Sequence, residues 1–150
     1  MNTCKKGDKF MGLFGLFSKN KKEQKVIYDE ILGKLTLCEE GWVGDITMKL
    51  FEKEHDIDLV LEYEEEPDTQ IYYDSYRKYK YERENIEREV ERIIASQYDY
   101  ADESDILSST PLSIELKKDG SVSLICAIEE EAIVMAEFEL LPQVRYIADL

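Results

Sequence analysis

Residues 112–128 read LSIELKKDGSVSLICAI, and apolar residues stand at every second position on both sides of a polar turn. Leu112, Ile114 and Leu116 alternate before the turn, and the same alternation continues from Val122 to Ile128. This period of two is typical of strands with one buried face. The intervening KDGS, residues 118–121, carries the Asp-Gly pair that favours a tight hairpin turn. The stretch therefore predicts two antiparallel strands.

The same alternation predicts four further strands on either side of this hairpin. Three precede a long polar region, and one follows the hairpin and ends before Pro142. Their predicted bounds are Ile31–Cys38, Val43–Phe51, Ile57–Tyr63 and Ile133–Leu140. Residues 52–56, EKEHD, are predicted to form a polar hairpin loop, and residues 21–30 a short helix or an irregular lead-in.

Residues 68–100 have the three- and four-residue apolar spacing of one long helix, opened by Asp68 or Thr69 as the N-cap. A helix of about 30 residues is roughly 45 Å long. Because that exceeds a small sheet, we expect a bend, a break or a protrusion near residues 78–81. The positions that form the predicted apolar stripe are Tyr72, Tyr76, Tyr79, Ile86, Val90, Ile93 and Ile94.

The resulting order is β-β-β-α-β-β-β, an α+β fold with a mainly antiparallel sheet and one long helix packed on it. The predicted organisation is a basic, partly apolar leader at residues 1–25 and a single acidic domain at residues 26–150. Val60 and Ile125 point away from the other apolar positions of their strands. If the second sheet face is uncovered, this leaves a homodimer through that face open.

Charge divides the chain unevenly. The sequence has 150 residues and a net charge of −15. Residues 1–25 carry seven Lys and two acids, whereas residues 26–150 carry 12 basic and 32 acidic groups. An acidic surface repels phosphate backbones, which disfavours direct nucleic-acid binding. It favours a basic protein partner, although acidic charge also serves solubility alone.

The leader contains FMGLFGLF at residues 10–17, followed by SKNKK. Its apolar residues beside Lys side chains are suited to weak contact with an anionic membrane surface. The residues assigned to that contact are Leu13, Phe14, Leu16 and Phe17. The competing interpretation is a terminus whose apolar tip packs on the domain or on a neighbour.

The residues that often perform catalysis or bind metals have no recognisable pattern here. His55 is the only His and falls in a predicted loop, and no nucleophile motif surrounds any Ser. Residues 99–105 offer carboxylates but no Gly for a calcium loop. The sequence therefore predicts no catalytic residues, no metal site and no cofactor. A carboxylate- or metal-dependent hydrolase stays open as an alternative.

The cysteines are Cys4, Cys38 and Cys126, none of them in a C-x-x-C pair. Cys38 and Cys126 fall in predicted strands, where Cys acts as a small buried apolar residue. An odd count without an export signal favours a reducing, cytoplasmic location.

Five Tyr between residues 72 and 81 surround the first half of the predicted helix. A buried stripe accommodates three of them but not Tyr73 and Tyr81. Tyr is enriched at interfaces, so these two predict a partner-binding surface, although single exposed aromatics are also commonplace. The predicted surface consists of Tyr73, Arg77, Tyr81 and Glu84.

Several short segments resemble small bacterial α+β domains of unknown function, which commonly open with a G-L-F-x-x-F-x-K leader, here Gly12–Lys19. The other segments are Leu32–Leu35, Trp42, the helix at residues 70–100 and SIELKKDG at residues 113–120. Some domains of this kind have been proposed as immunity proteins that neutralise a polymorphic toxin. The resemblance implies a non-catalytic binding protein. A membrane-surface or assembly adaptor that uses the leader is the second alternative beside the hydrolase.

Overall fold

The structure is a computed structural model that describes residues 24–97, 109–129 and 133–150. In these residues eight strands form one sheet, and their order in the sheet is their order in the chain. Neighbouring strands are antiparallel except β4 and β5, which are parallel. The strands are β1 (Val26–Asp29), β2 (Gly33–Cys38), β3 (Gly41–Leu50), β4 (Lys53–Leu61), β5 (Thr110–Leu116), β6 (Val122–Glu129), β7 (Ile133–Leu141) and β8 (Arg145–Asp149).

The α+β class and the mainly antiparallel sheet are confirmed, but the single long helix is wrong. A 3₁₀ turn at Thr69–Tyr72 is followed by α1 (Tyr73–Tyr81) and α2 (Arg83–Gln97). Asp68 caps the 3₁₀ turn by accepting a hydrogen bond from the Gln70 N–H. The break falls at Glu82, directly after the predicted region. Two shorter helices follow the sheet more closely than one straight helix of ~45 Å could.

The predicted order of three strands on each side of the helix is also wrong, since each side has four. The additional strands are the two edge strands, β1 and β8, of four and five residues. Residues 26–29 had been assigned to a helical or irregular lead-in. Both strands are half exposed, which weakens the alternation that marks a buried face.

Residues 53–56 of the predicted loop at 52–56 belong to β4, so the predicted loop is wrong. Strands β3 and β4 are joined by a two-residue turn, Phe51 and Glu52, with φ angles of 49° and 66°. Positive φ at both positions is the type I′ geometry that matches strand twist. Gly and Asn usually adopt this geometry, so Phe51 and Glu52 carry no turn signal.

The core lies between the helices and one face of the sheet. In β3 the residues Ile46, Met48 and Leu50 point into it, and in β7 Ala136, Phe138 and Leu140 do the same. The helices contribute Tyr72, Tyr79, Ile86, Val90 and Ile94, which confirms five positions of the predicted stripe as fully or nearly fully buried. Because α2 contacts both β3 and β8, which are five places apart, the sheet curls around this helix.

A close approach between strands depends on Gly41. Its φ is +138°, and a Cβ at this position would lie 1.9 Å from the carbonyl oxygen of Leu61. Only glycine tolerates both conditions. The next residue, Trp42, is buried, and its indole N–H donates to the Glu64 carbonyl oxygen at 2.7 Å.

No helix in the part of the chain that the structure describes combines the length and apolar character needed to cross a membrane.

Candidate functional site

The side of the sheet opposite the helices, which we call the open face, has no element of the described residues packed on it. Strand registry places alternate residues of β3 to β7 on this side, opposite in direction to the core residues. The open face consists of Val43, Asp45, Thr47, Asp56, Asp58, Val60, Ser113, Glu115, Ser123, Ile125, Glu137 and Glu139, with Arg145 of β8 at its border.

Carboxylates dominate the polar positions of the open face. Asp45 lies directly opposite Asp58, so two like charges are cross-strand neighbours. Such an arrangement is destabilising in itself. Two residues further along each strand, the hydroxyl of Thr47 donates to the Asp56 carboxylate at 3.0 Å. The acids on this surface are Asp45, Asp56, Asp58, Glu115, Glu137 and Glu139.

Aliphatic side chains lie among these acids. Val43 is directly opposite Val60, and Ile125 is directly opposite Glu137 on the neighbouring strand. Val60 and Ile125 are both partly exposed, which confirms that they point away from the core. An apolar centre with charged surroundings is the composition found in protein–protein interfaces.

The electrostatic effect of the open face is visible at Glu115. Burial raises the pKa of this carboxyl above its ordinary value, Lys117 lowers it, and Glu62 and Glu137 raise it further. The neighbouring negative charges therefore make this surface a poor environment for another anion. They make it a favourable environment for a cation.

Strands β4 and β5 separate at one end of the open face. They pair only from Asp58 and Ser113 onward, and a cavity of about 740 Å³ opens where they diverge. Its lining includes Asp56, Pro111 and Ile125. Acidic and apolar side chains thus line the cavity together.

His55 borders the same cavity and lies in β4, not in a loop as predicted. It is opposite Met48 and half-buried. Burial lowers the pKa of its imidazole, and the charge of Lys53 lowers it further. At neutral pH the ring is therefore predominantly uncharged.

The predicted helix surface is divided by the structure. The Tyr73 hydroxyl donates to the Asp29 carboxylate at 2.7 Å, which ties α1 to the turn between β1 and β2. Arg77 stands over the Tyr73 ring, 5.5 Å from its centroid. Tyr81 is 91% exposed at the end of α1, and Glu84 is exposed at the start of α2. Tyr73 has a structural contact, whereas Tyr81 has an almost free side chain.

A second cavity lies between the β3–β4 turn and α2. Glu87 is buried, accepts the Lys49 backbone N–H at 2.6 Å and pairs with Arg83 at 2.7 Å. Glu91, one turn later, accepts the Phe51 N–H at 2.5 Å. These two carboxylates satisfy backbone donors on the exposed edge of β3, and they hold the strained turn against the helix. Neither role has a local sequence signal, because the partners are 38 and 40 residues away.

The remaining predicted groups do not converge on a site. Within the described ranges, no group of three or more His, Cys, Asp or Glu side chains is arranged to hold a metal ion. Cys126 is a buried free thiol in β6, and burial raises its pKa to about 12. Cys38 is buried in β2 but is disulfide-bonded, so the prediction that it acts only as a small apolar residue is wrong. Residues 99–105 lie outside the described ranges, as do the leader residues Leu13, Phe14, Leu16 and Phe17.

The apolar positions of each alternating strand indicate the buried face, and the polar positions between them form the open face. Once the pairing of adjacent strands is known, their polar positions place Asp45, Asp56 and Asp58 on one surface. The missing information was the registry, which brings Asp45 opposite Asp58 across 13 residues of chain.

No family model, no curated protein and no solved structure matches this chain. A function for this chain is therefore inferred from the geometry and charge of its own surfaces.

Proposed function

We propose that this chain is a non-catalytic protein-interaction domain whose open face binds a basic protein, in the manner of an immunity-type inhibitor of a toxin. The observation that supports the proposal most directly is the composition of the open face. Six carboxylates share one side of the sheet with the partly exposed aliphatic side chains of Val60 and Ile125, and Val43 is buried beside them. Acidic residues at this density accelerate encounter with a basic partner, and the aliphatic positions slow its release.

The domain would inhibit an enzyme partner by placing its open face over that enzyme's active site. A nuclease or another enzyme that acts on anionic substrates has a basic active site, and an acidic surface is complementary to it. The pKa of Glu115, raised by burial and by its acidic neighbours, supports this complementarity, because a partner cation would relieve the repulsion on the open face.

The test starts with affinity capture from the native host at low and high salt, followed by purification of the captured basic protein. Binding to that protein is then titrated for three variants of the full chain. The first is Asp56→Asn with Glu137→Gln on the open face. The matched control, Asp74→Asn with Glu89→Gln on the helices, makes the same change in charge. The third, Arg77→Ala with Tyr81→Ala, tests the helix surface predicted from sequence.

We expect the open-face variant alone to lose affinity, by roughly tenfold or more, as for charged groups at an interface. The captured protein's own activity should be inhibited by the natural chain in proportion to binding. If only the Arg77→Ala and Tyr81→Ala variant loses affinity, the interface lies on the helices and not on the open face. Equal affinity of all three variants would overturn the proposed surface, and a captured protein whose activity is unaffected would overturn the inhibitor function.

A further inference from the structure

We propose that the open face is also the docking site of the chain's own N-terminal segment, residues 1–23, which occupies it until a partner displaces it. The displacement step rests on the proposed function, whereas the docking of the segment does not. Docking in this form would make the segment an internal competitor for the acidic surface.

The composition of the segment is complementary to the open face. Residues 1–23 contain six Lys and only two acids, and residues 10–17 contain the apolar run FMGLFGLF. The open face presents carboxylates around Val60 and Ile125. The Lys side chains of the segment are thus complementary to the Asp and Glu side chains of the open face. Its aromatic and aliphatic side chains are complementary to the aliphatic side chains there.

The position of the segment makes the contact feasible. The segment leads directly into β1, the edge strand beside β2. Strands in a sheet are ~4.8 Å apart, so β3 and β4 lie roughly 10–14 Å from β1. Lys22 and Lys21 are four and five residues before Val26, and an extended chain covers ~3.3 Å per residue. They are therefore within reach of Asp45 and Asp58.

The apolar part of the segment reaches further across the sheet. Phe14 is 12 residues before Val26, and an extended chain of that length spans roughly 40 Å. Strand β6, which carries Ile125, is about five strand spacings, or ~24 Å, from β1. Phe14 is therefore within reach of Ile125 when Lys21 and Lys22 lie near Asp45 and Asp58.

A second copy of the chain is a weaker candidate for this surface. Two open faces brought together would oppose six carboxylates with six more, and like charges across an interface are strongly unfavourable. The segment brings the opposite charge and is covalently attached, which gives it a high effective concentration.

The test is zero-length cross-linking of the full chain, without any partner, using a carbodiimide that joins Lys amines to carboxylates in direct contact. Equal amounts of ¹⁴N- and ¹⁵N-labelled chain are mixed, so that mass spectrometry separates links within one chain from links between two. Asp74 and Glu84, exposed acids on the helices, serve as reference carboxylates.

We expect links from Lys19, Lys21 and Lys22 to Asp45, Asp56 and Asp58 within one chain, at a several-fold higher yield than links to the reference acids. The yield should fall several-fold in about 1 M NaCl, where the Debye length is ~3 Å. Phe14→Ser with Phe17→Ser should lower the same links without removing any reactive group.

Three outcomes would overturn the docking. Equal yields to the two sets of acids would show that the open face is not preferred. Links carrying both isotopes would assign the face to a second copy. Absence of these links from the chain alone, together with retention of the chain by phosphatidylserine vesicles, would assign the segment to a membrane surface. Since no partner is present, these outcomes leave the proposed partner binding untouched.

Discussion

The two faces of the sheet are built by alternate residues of the same strands, yet they have opposite chemistry. In β3, Ile46 and Met48 are buried under the helices, whereas Asp45 and Thr47 lie on the open face. Strand β4 repeats the pattern with Ile57 and Leu59 against Asp56 and Asp58. The comparison teaches that a single pattern of period two specifies both the packing and the acidic surface.

The largest expected difference between the two faces is in how much the free energy of unfolding falls when a side chain is truncated. Phe138 is fully buried and packs edge-on against Tyr146, with ring centroids 5.9 Å apart. We expect Phe138→Ala to lower the free energy of unfolding by about 3–5 kcal/mol, as for large core truncations. Ile125→Ala on the open face should cost less than ~1 kcal/mol. Urea denaturation measures both, and similar losses would contradict the distinction between the faces.

A second effect tests how α2 holds the edge of β3. Glu87→Ala removes a buried carboxylate that accepts the Lys49 N–H and pairs with Arg83. We expect a loss of about 2–3 kcal/mol, because a partly buried backbone donor and a cation lose their partner. The control Glu84→Ala, at an exposed position of the same helix, should change stability by less than ~0.5 kcal/mol. Comparable losses for both would show that Glu87 is not the anchor.

The contact between α1 and the β1–β2 turn gives a pH-dependent effect. Burial raises the pKa of Asp29, but hydrogen bonds from the Leu32 N–H, the Tyr73 hydroxyl, Thr69 and the Ile31 N–H outweigh it, and the net pKa is lowered. The ionised Asp29 therefore adds stability above its unfolded pKa of 3.8, and this stability is lost as the pH falls below that value.

Tyr73→Phe removes one of these donors. Its urea midpoint should lie below that of the natural chain at pH 7, and the gap should narrow below pH 3.8. Tyr81→Phe, at a position 91% exposed, should show no gap at any pH. A gap of the same size at pH 3 and pH 7 would mean that Asp29 is not the partner that matters.

The smallest expected effect is on the open face itself, and it has the opposite sign. Burial and the acids Glu62 and Glu137 raise the pKa of Glu115 above 4.5, against the lowering effect of Lys117. Its ionised form thus destabilises the fold, so stability falls as the pH rises from 4.5 through the raised pKa. Glu115→Gln should be slightly more stable than the natural chain at pH 7 and equal to it below pH 4.5.

Glu139→Gln is the matched control for this change. The Glu139 carboxylate accepts a hydrogen bond from Arg145 at 2.7 Å, so its neutralisation should lower stability slightly at neutral pH. Urea midpoints measured across the pH range compare the two variants. The same sign for both would show that local repulsion does not govern the open face.

The hairpin of β5 and β6 shows which structure was predictable from sequence. Its turn is fixed locally, since Gly120 has a φ of +91° and Asp119 accepts the Ser121 N–H at 2.9 Å. The β3–β4 turn was not predictable, because Phe51 and Glu52 adopt positive φ through support from Glu91, 40 residues away. Turns determined by neighbouring residues could be predicted from the sequence, whereas a turn that depends on contacts distant in sequence could not.

The same distinction applies to the candidate site. The acidic character of residues 26–150 was predictable from the count of charged residues. The outward direction of Val60 and Ile125 was predictable from the alternation of apolar and polar residues in their strands. The structural contact of Tyr73 did not, because Asp29 is 44 residues away and gives no sequence signal at the helix. Likewise, the break at Glu82 depends on how the helices follow the curled sheet and not on a Pro or Gly in the chain.

The single parallel pair, β4 with β5, has a consequence for how the molecule assembles. Every other neighbouring pair joins strands that follow one another directly in the chain, so two four-stranded meanders are stabilised by short-range contacts. The parallel pair is separated by 55 residues between Asp58 and Ser113, and closing a longer loop costs more entropy. We therefore expect joining of the two halves to limit the folding rate, so that variants in the β4–β5 seam alter the refolding rate more than equally destabilising variants within either meander.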